Sequence, residues 1–583
     1  MRFARTAVVG QERVAFYAIW GLVGVIVALH GLRTRTINTG WIGVGLVIGA
    51  AAQLAVIVAR GGSPTVYSLG TSAAMVGIAA WVVGSTRGAS SITRGTRLFE
   101  RISKDPPWCP TNAQLRTAAY IGFIAAAVGT FVLVSGAPLG HDESVYALKA
   151  RAWLEGTPAT GFGLHRPVGM PAVAAVILWI SDSTTALRLG AAITALLSLF
   201  ALWRLSLIGG RSTAGMLTVV SFAASQPYLR RAPEFLNDLV TSGLMIGVII
   251  VVWSHFEGRY RALPLWVASA LTTVAFYLRY GSALIFIVIA IVSAATFRRR
   301  LKQHVRAISV ATALLFVGIA PHLVYAQKTT GSILGILAKS SEIAGRAYLG
   351  DGLVRYAYWF PAKLAGTMLA VVMLIGVISV VRRWHTRTPT DRFDRYITLI
   401  ALLSATAVGL TIHGEQRYVF FNVLLLGLVG WSAVLTIARQ WPDTTRRVAT
   451  WGLTLTLAFS LGSGVFEARL RSDLMADHRA VLEAVGDTIA GDRPCTVVTS
   501  YSPQLTWMSG CAAVSFATAT LSSFRPQPGE PTYLATFENG KRQPGEKDLA
   551  ALLERFRVVT VEPIESLTDR IGDAVVYQIE DKQ

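Results

Sequence analysis

Apolar stretches of about 17 to 25 residues recur along this chain, parted by short arginine-rich segments, and this constrains its fold more than any other feature. Each stretch can cross the roughly 30 Å of bilayer hydrocarbon as a helix. The period-two alternation of a membrane β-barrel is absent. With 53% apolar and 15% charged residues among 583, the chain reads as a polytopic α-helical membrane protein. A net charge of +21 in a soluble chain would suggest nucleic acid, but here the basic residues sit in short loops between spans. They read as orientation signal and contact with anionic membrane lipid.

Orientation follows from where Arg and Lys cluster. The segments 87–116, 298–306, 382–395 and 439–447 are the richest and are expected to be cytoplasmic. From Arg116, a span at 117–137 then delivers the chain to the outer face. Residues 168–181 are too short to cross and read as an interfacial helix. Spans follow at 185–207, 213–227, 238–255, 263–279, 281–297, 307–326, 363–381, 396–411, 418–437 and 450–466. With three more at 13–31, 39–59 and 66–86, the total is about 14. This parity puts the N-terminus outside despite Arg2 and Arg5. The first apolar stretch is long and lacks a small-residue cleavage site, so it reads as a helix, not a signal peptide.

The expected organisation is extra N-terminal spans at 1–90, a basic cytoplasmic loop at 91–116, a membrane core at 117–466 with outer loops 138–184 and 327–362, and an outer α/β domain at 467–583. In that last part "CTVVTS", "CAAVSF" and "RVVTVEP" read as strands, and "DHRAVLEAVGDTIAG" and "KDLAALLERF" as helices, which favours a partly parallel sheet. No GxGxxG or P-loop is present, and Cys109, Cys495 and Cys511 have no zinc or haem spacing. In an oxidising compartment Cys495 and Cys511 either bridge two neighbouring strands or stay as two buried thiols.

This topology brings unusual polar residues to outer helix ends. The first outer loop, "GHDESVYALKARAWLEG", offers Asp142, Glu143, Tyr146 and Lys149, and His165 and Arg166 follow. "PYLRRAPEFLND" offers Arg230, Arg231, Glu234 and Asp238; "FYLRYGS" offers Arg279 and Tyr280; "TIHGEQRYVFF" offers His413, Glu415, Arg417 and Tyr418. Ionisable groups at membrane depth are costly and usually face a polar cavity or one another. A carboxylate can take a proton from an attacking hydroxyl, and arginines can hold a departing phosphate. The mixture suits displacement at a sugar carbon with a lipid phosphate leaving.

The bland readings stand beside this one. Asp142 and Glu143 could begin a helix, Asp238 could cap the next span, Arg279 and Arg417 could snorkel to lipid headgroups, and Lys149 and Arg151 could be surface charges. His30, His165, His322 and His413 read singly as hydrogen-bonded structural residues rather than metal ligands. A divalent cation between Asp142, Asp238 and a phosphate is chemically compatible with such oxygens, though no cofactor is implied outright.

Together, "HDESVYALKARAWLEG", "FGLHRPVGMP", "PEFLNDLVTSGLMI", "LRYGSALIF" and "HGEQRYVFF" resemble the GT-C superfamily of integral-membrane glycosyltransferases, nearest the protein O-mannosyltransferase and lipid A aminoarabinose transferase group. The resemblance spans roughly 116–466. It implies a GT-C-like fold and transfer of a sugar from a polyprenyl-phosphate donor to a hydroxyl of a cell-wall polysaccharide, glycolipid or protein, outside the cytoplasmic membrane. It implies Asp142 as base with Glu143 as its companion, Asp238 as a second acid with Glu234 competing, Arg279 and Arg417 as donor-phosphate ligands, and Arg166 near the donor or acceptor pocket. Tyr146, His165, Tyr280, His413, Glu415 and Tyr418 would line that pocket. Arginine outnumbers lysine 45 to 9, a bias of high-GC genomes that makes an actinobacterial member, with an arabinose or mannose donor, the expected branch. "HRPVGMP" departs from the double-proline version of the aminoarabinose transferases, and the three extra N-terminal spans are a second departure. A transporter or flippase, or a non-catalytic binding protein for polyprenyl-linked sugars, is the competing reading; paired halves and broken midplane helices are missing from the sequence.

Overall fold

A computed structural model describes residues 136–582, except 258–262, 344–347, 360–361, 386–387, 412–413, 442, 491–493, 520–523, 527 and 568–570, together with 21–22, 24–26 and 28–29. The expected spans at 39–59, 66–86 and 117–137, most of 13–31, and the loop at 91–116 lie outside the described residues.

The main helices in chain order begin with α1 (His141–Glu155), α2 (Gly169–Ile180), α3 (Thr184–Ile208), α4 (Ser212–Ala223), α5 (Gln226–Arg231) and α6 (Asn237–Glu257). They continue with α7 (Leu265–Leu278), α8 (Ser282–Phe297), α9 (Val305–Thr330), α10 (Gly335–Ile343), α11 (Asp351–Trp359), α12 (Thr367–Arg382), α13 (Pro389–Thr411), α14 (Phe420–Ala438) and α15 (Asp443–Ile489). After them come β1 (Thr496–Thr499), α16 (Ser502–Ser509), β2 (Ala512–Val514), β3 (Thr532–Phe537), α17 (Glu546–Arg555), β4 (Phe556–Ile564) and β5 (Ala574–Asp581). Among the described residues, five helices are long and apolar enough to cross a membrane: Thr184–Ile208, Asn237–Glu257, Leu301–Thr330, Asp391–Thr411 and Gln416–Ala438. Shorter apolar helices cover most of the other expected spans.

The chain divides into two compact units, one of Met1–Val128, Thr194–Arg231 and Asp238–Glu467, the other of Gly129–Ile193, Ala232–Asn237 and Ala468–Gln583. In the first, α14 is the central helix, with 83% of its most apolar window buried, whereas only 6% of the window around α9 is buried and its apolar side chains point outward. Small residues let backbones approach, as in membrane helix pairs generally. A Cβ on Gly376 of α12 would lie 2.6 Å from the Cα of Gly430 on α14. Near the end of α6, Trp253 packs edge-on against Phe393 and Phe297, at 4.9 and 5.6 Å between ring centroids. At that end the basic segments are tied to acids: Arg211 to Asp394 at 2.7 Å, Arg392 to Glu257 at 2.7 Å and Arg383 to Asp391 at 2.8 Å. Asp238 stands in the first turn of α6 and Glu257 ends it, so roughly 30 Å separate them along a 21-residue helix. Asp238 therefore stands at the opposite end of that span from the basic cluster.

In the second unit a five-stranded sheet has the order β2-β1-β3-β5-β4. β2, β1 and β3 are parallel, and β5 pairs antiparallel with both β3 and β4. The sheet is thus partly parallel, as the alternation of elements predicts, but β3 and β5 are strands beyond the three read from the sequence. The last turns of α15 cover one face through Val481, Leu482, Val485 and Ile489, against Val497, Tyr533 and Val576. Cys495 and Cys511, at the entries to neighbouring strands, form a disulfide with their Cα atoms 4.8 Å apart.

Three local readings gain detail. The segment 327–362, expected as an outer loop, contains α10 and α11. The span expected at 450–466 and the helix read at 477–491 belong to one continuous helix, α15, of 47 residues. Arg151, expected as a surface charge, stacks its guanidinium 3.4 Å from the Trp507 ring, donates to the Trp507 carbonyl at 2.9 Å and pairs with Asp182 at 2.8 Å, fastening α16 to α1. The expected interfacial helix is α2, whose Val176, Trp179 and Ile180 are exposed.

Candidate active site

In the second unit the chemistry collects at the start of α1. Gly140 precedes the helix, and its N–H donates to Glu143 Oε2 at 2.7 Å. A Cβ there would come within 3.0 Å of that oxygen, so glycine permits the contact. Glu143 Oε1 accepts two further hydrogen bonds at 2.5 Å each, from Arg188 Nη1 and from the Phe235 N–H. Glu143 is 3% exposed and Arg188 2%. Arg188 also donates to the carbonyls of Pro233 at 2.9 Å and Pro138 at 2.8 Å. One buried guanidinium thus joins the entry to α1 to the 232–237 segment. Burial pushes the Glu143 carboxyl above its ordinary range; Arg188 and the two main-chain donors oppose that, and nearby Glu234 adds to it. Glu234 itself is half-buried.

Asp142, the preceding residue, is in a different environment. It is half-buried, and Arg166 Nη1 donates to its Oδ1 at 3.0 Å. Tyr146 lies four residues on, hence on the same helical face, with the Arg166 guanidinium 5.8 Å from its ring. His165 is half-buried on the turn that carries Arg166, and its ring occupies the space that a Cβ on Gly163 would need. His141, at the exposed start of α1, is held below its ordinary pKa first by partial loss of solvent and then by Arg166 and Arg542, with Asp142 opposing. It is accordingly neutral at pH 7 and leaves Asp142 without a protonated neighbour on that side.

The first unit holds a second polar group. Asp238, 4% exposed in the first turn of α6, accepts from Arg279 Nη1 at 2.6 Å, and Arg417 Nε stands 3.7 Å from its other oxygen. Arg417 Nε also donates to Glu415 at 2.6 Å. The Arg279 guanidinium lies 4.2 Å from the Tyr418 ring, within cation–π range. Tyr356 of α11 is buried beside Arg279, Tyr418 and Glu415; burial keeps its phenol protonated. Its hydroxyl makes no well-formed hydrogen bond among the described residues. Two guanidiniums, a protonated phenol and a buried carboxylate that orients the arginines can receive a phosphate.

The structure therefore assembles Asp142, Tyr146, His165 and Arg166 in one group, with Glu143 and Glu234 behind them, and Asp238, Arg279, Glu415, Arg417 and Tyr418 in another. Tyr280 packs instead against Phe276 and His322, with ring centroids 5.3 and 4.8 Å away. His413 lies outside the described residues. Sequence reasoning missed Arg188, although an arginine near the start of an apolar helix is itself a signal of a buried partner. It also missed Tyr356, which carries no charge and sits in a segment read as loop. Among the described residues no three His, Cys, Asp or Glu side chains come close enough to hold a metal.

One unit is mainly helical and the other carries the sheet, and each has acids and arginines at helix ends. No family model and no curated protein matches the sequence. Among solved structures, ArnT from Cupriavidus metallidurans bound to undecaprenyl phosphate matches with a TM-score of 0.59 at 15% identity, over 79% of this chain and 97% of that one. Its apo form gives 0.58 at 14% identity, over 79% and 98%. The Archaeoglobus fulgidus oligosaccharyltransferase complexed with Zn and sulfate gives 0.45 at 10% identity, over 79% and 73%. The chain shares the fold of ArnT, the GT-C fold that its motifs resemble.

Proposed function

We propose that this chain is an integral-membrane glycosyltransferase that moves a sugar, arabinose or mannose, from a polyprenyl-phosphate donor to an acceptor hydroxyl at the outer face of the cytoplasmic membrane. The observation that carries the reading is the division between two adjacent carboxylates. Glu143 is saturated by three donors and buried, whereas Asp142 is half-buried with Arg166 beside it. A structural acid next to an accessible one is what a positioned general base requires. The shared fold with a structure that holds undecaprenyl phosphate supports the donor class.

In this reading Asp142 takes the proton of the acceptor hydroxyl as that oxygen attacks the anomeric carbon. The bond from that carbon to the donor's phosphate oxygen breaks, and the polyprenyl phosphate leaves with the electron pair. Arg279 and Arg417, oriented by Asp238, meet the developing charge, and Tyr356 donates a hydrogen bond to it. A single displacement inverts the anomeric configuration. Arg166 steers the Asp142 carboxylate, and Glu143 with Arg188 positions the helix start.

The test is Asp142→Asn in the purified full chain, with undecaprenyl-phosphate binding measured beside sugar transfer. Transfer is expected to fall by about 10²- to 10⁴-fold with binding retained. Unchanged transfer removes Asp142 as the base, and a parent chain that binds the lipid but transfers no sugar removes the enzyme reading.

A further inference from the structure

The loop between β3 and α17, "ENGKRQPG" at 538–545, carries two cations, Lys541 and Arg542, that the reaction above does not use. The loop is held in place. The Tyr501 hydroxyl accepts a hydrogen bond from the Lys541 N–H at 3.3 Å. The Gln543 side chain accepts from the Phe537 N–H at 3.2 Å and donates to Ser500 Oγ at 2.5 Å. Arg542 has φ of 55°, making it the one non-glycine among the described residues in the left-handed region. Such strain persists only where the surroundings impose it, and it clusters at functional positions.

Both side chains are exposed, and neither makes an ion pair among the described residues. Their loop rests on Tyr501, which precedes α16; α16 is fastened to α1 by Arg151, which clamps Trp507, and to the segment after α1 by Thr506 Oγ1, 2.9 Å from Thr160 Oγ1. Arg542 is within electrostatic reach of His141, the immediate neighbour of Asp142.

We propose that Lys541 and Arg542 bind a phosphate or carboxylate group of the acceptor, so that its hydroxyl is presented at the start of α1. The proposal rests on the glycosyltransferase reading and adds that the acceptor is acidic. The physical case is complementarity. An ionised Asp142 repels an anionic acceptor, and two uncommitted cations on a fixed loop offset that repulsion at little further ordering cost. An arginine fork suits a phosphate or carboxylate because both can accept two parallel hydrogen bonds.

The experiment modifies exposed arginines of the full chain with phenylglyoxal and follows the Arg542 adduct by mass spectrometry, with inorganic pyrophosphate or undecaprenyl phosphate added. Pyrophosphate is expected to slow modification of Arg542 several-fold, and undecaprenyl phosphate to leave its rate unchanged. In transfer assays on a membrane-extracted acceptor fraction, Lys541→Gln/Arg542→Gln is expected to raise the acceptor KM and leave the donor KM alone. An Arg542 rate indifferent to pyrophosphate overturns the proposal. So does protection by undecaprenyl phosphate alone, which assigns the loop to the donor. Pyrophosphate protection in a chain that transfers no sugar keeps the anion site but overturns its assignment to a glycosyl acceptor.

Discussion

Replacing Arg188 by Met tests whether the buried pair at the start of α1 is what fixes Asp142. The change keeps an unbranched stem of similar reach but deletes the charge that meets Glu143 at 2.5 Å and the donors to the Pro138 and Pro233 carbonyls. Glu143, 3% exposed, is then left as a buried carboxylate with only two main-chain donors. Breaking one side of a buried pair costs about 3–5 kcal/mol, because the remaining charge has no counterpart. For a unit of under 200 residues each kcal/mol lowers Tm by about 2–4 °C, so a fall on the order of 10 °C is expected. Glu143→Met is expected to cost a similar amount. The double variant, with neither charge left to desolvate, should be less destabilised than the sum of the two by about 3 kcal/mol. The assay is thermal unfolding of the purified full chain, followed by tryptophan fluorescence and by loss of the monodisperse peak on size exclusion. An Arg188→Met chain that melts within about 2 °C of the parent, or a double variant whose loss equals the sum, would refute the reasoning.

Other expectations follow from the same geometry. Tyr356→Phe removes a buried hydroxyl with no well-formed protein hydrogen bond, so Tm should hold while affinity for undecaprenyl phosphate drops by about tenfold or more, the worth of a hydrogen bond to a charged group; unchanged affinity removes Tyr356 from the site. Cys495→Ala/Cys511→Ala opens a cross-link with a sequence separation of 16 and should cost about 3 kcal/mol, read as a lower Tm of the non-reduced chain. His141, held below its ordinary value of 6.5, binds fewer protons folded than unfolded, so its contribution to stability is intact above pH 6.5 and is lost as pH falls below it; Tm measured from pH 7 downward should decline less steeply in His141→Gln.

The spans were legible because the bilayer dictates their length. The stretch read as 185–207 is Thr184–Ile208, and 418–437 is Phe420–Ala438. What the apolar pattern could not mark was helix outside the hydrocarbon. α15 continues past Phe466 through "EARLRSDLMADHRAVLEAV", which is rich in good helix formers and free of Gly and Pro until Gly486; the end of this helix, from Asp477, is read from the sequence, but its continuity with the span is not. α10 and α11 escaped for the same reason. The burial of β3, "TYLATF", and β5, "AVVYQIED", alternates only in part, and their pairing order is a tertiary fact. In the candidate site the charged residues were visible as acids and arginines at helix ends. Tyr356 was not, because what distinguishes it is burial beside Arg279 and Glu415, distant in sequence.

Asp142 and Glu143 show why adjacency in sequence says little about chemistry. Successive residues on a helix point about 100° apart, so one of two neighbouring acids can face the packed interior while the other faces an opening. The inward residue must then find donors for every oxygen, since an unpaired buried charge is far costlier than an exposed one. Glu143 meets that demand with Gly140, Phe235 and Arg188, the last two 92 and 45 residues away. Their dependence on one carboxylate means that Glu143 cannot release its partners to take a proton without loosening the entry to α1. Asp142, half-buried with Arg166 donating to it, can exchange that contact for a substrate hydroxyl at much smaller cost. On this argument Glu143→Gln slows transfer through the fold, with Tm falling alongside activity, whereas Asp142→Asn slows transfer with Tm unchanged. A pair of variants with the opposite pattern would exchange the roles of the two acids.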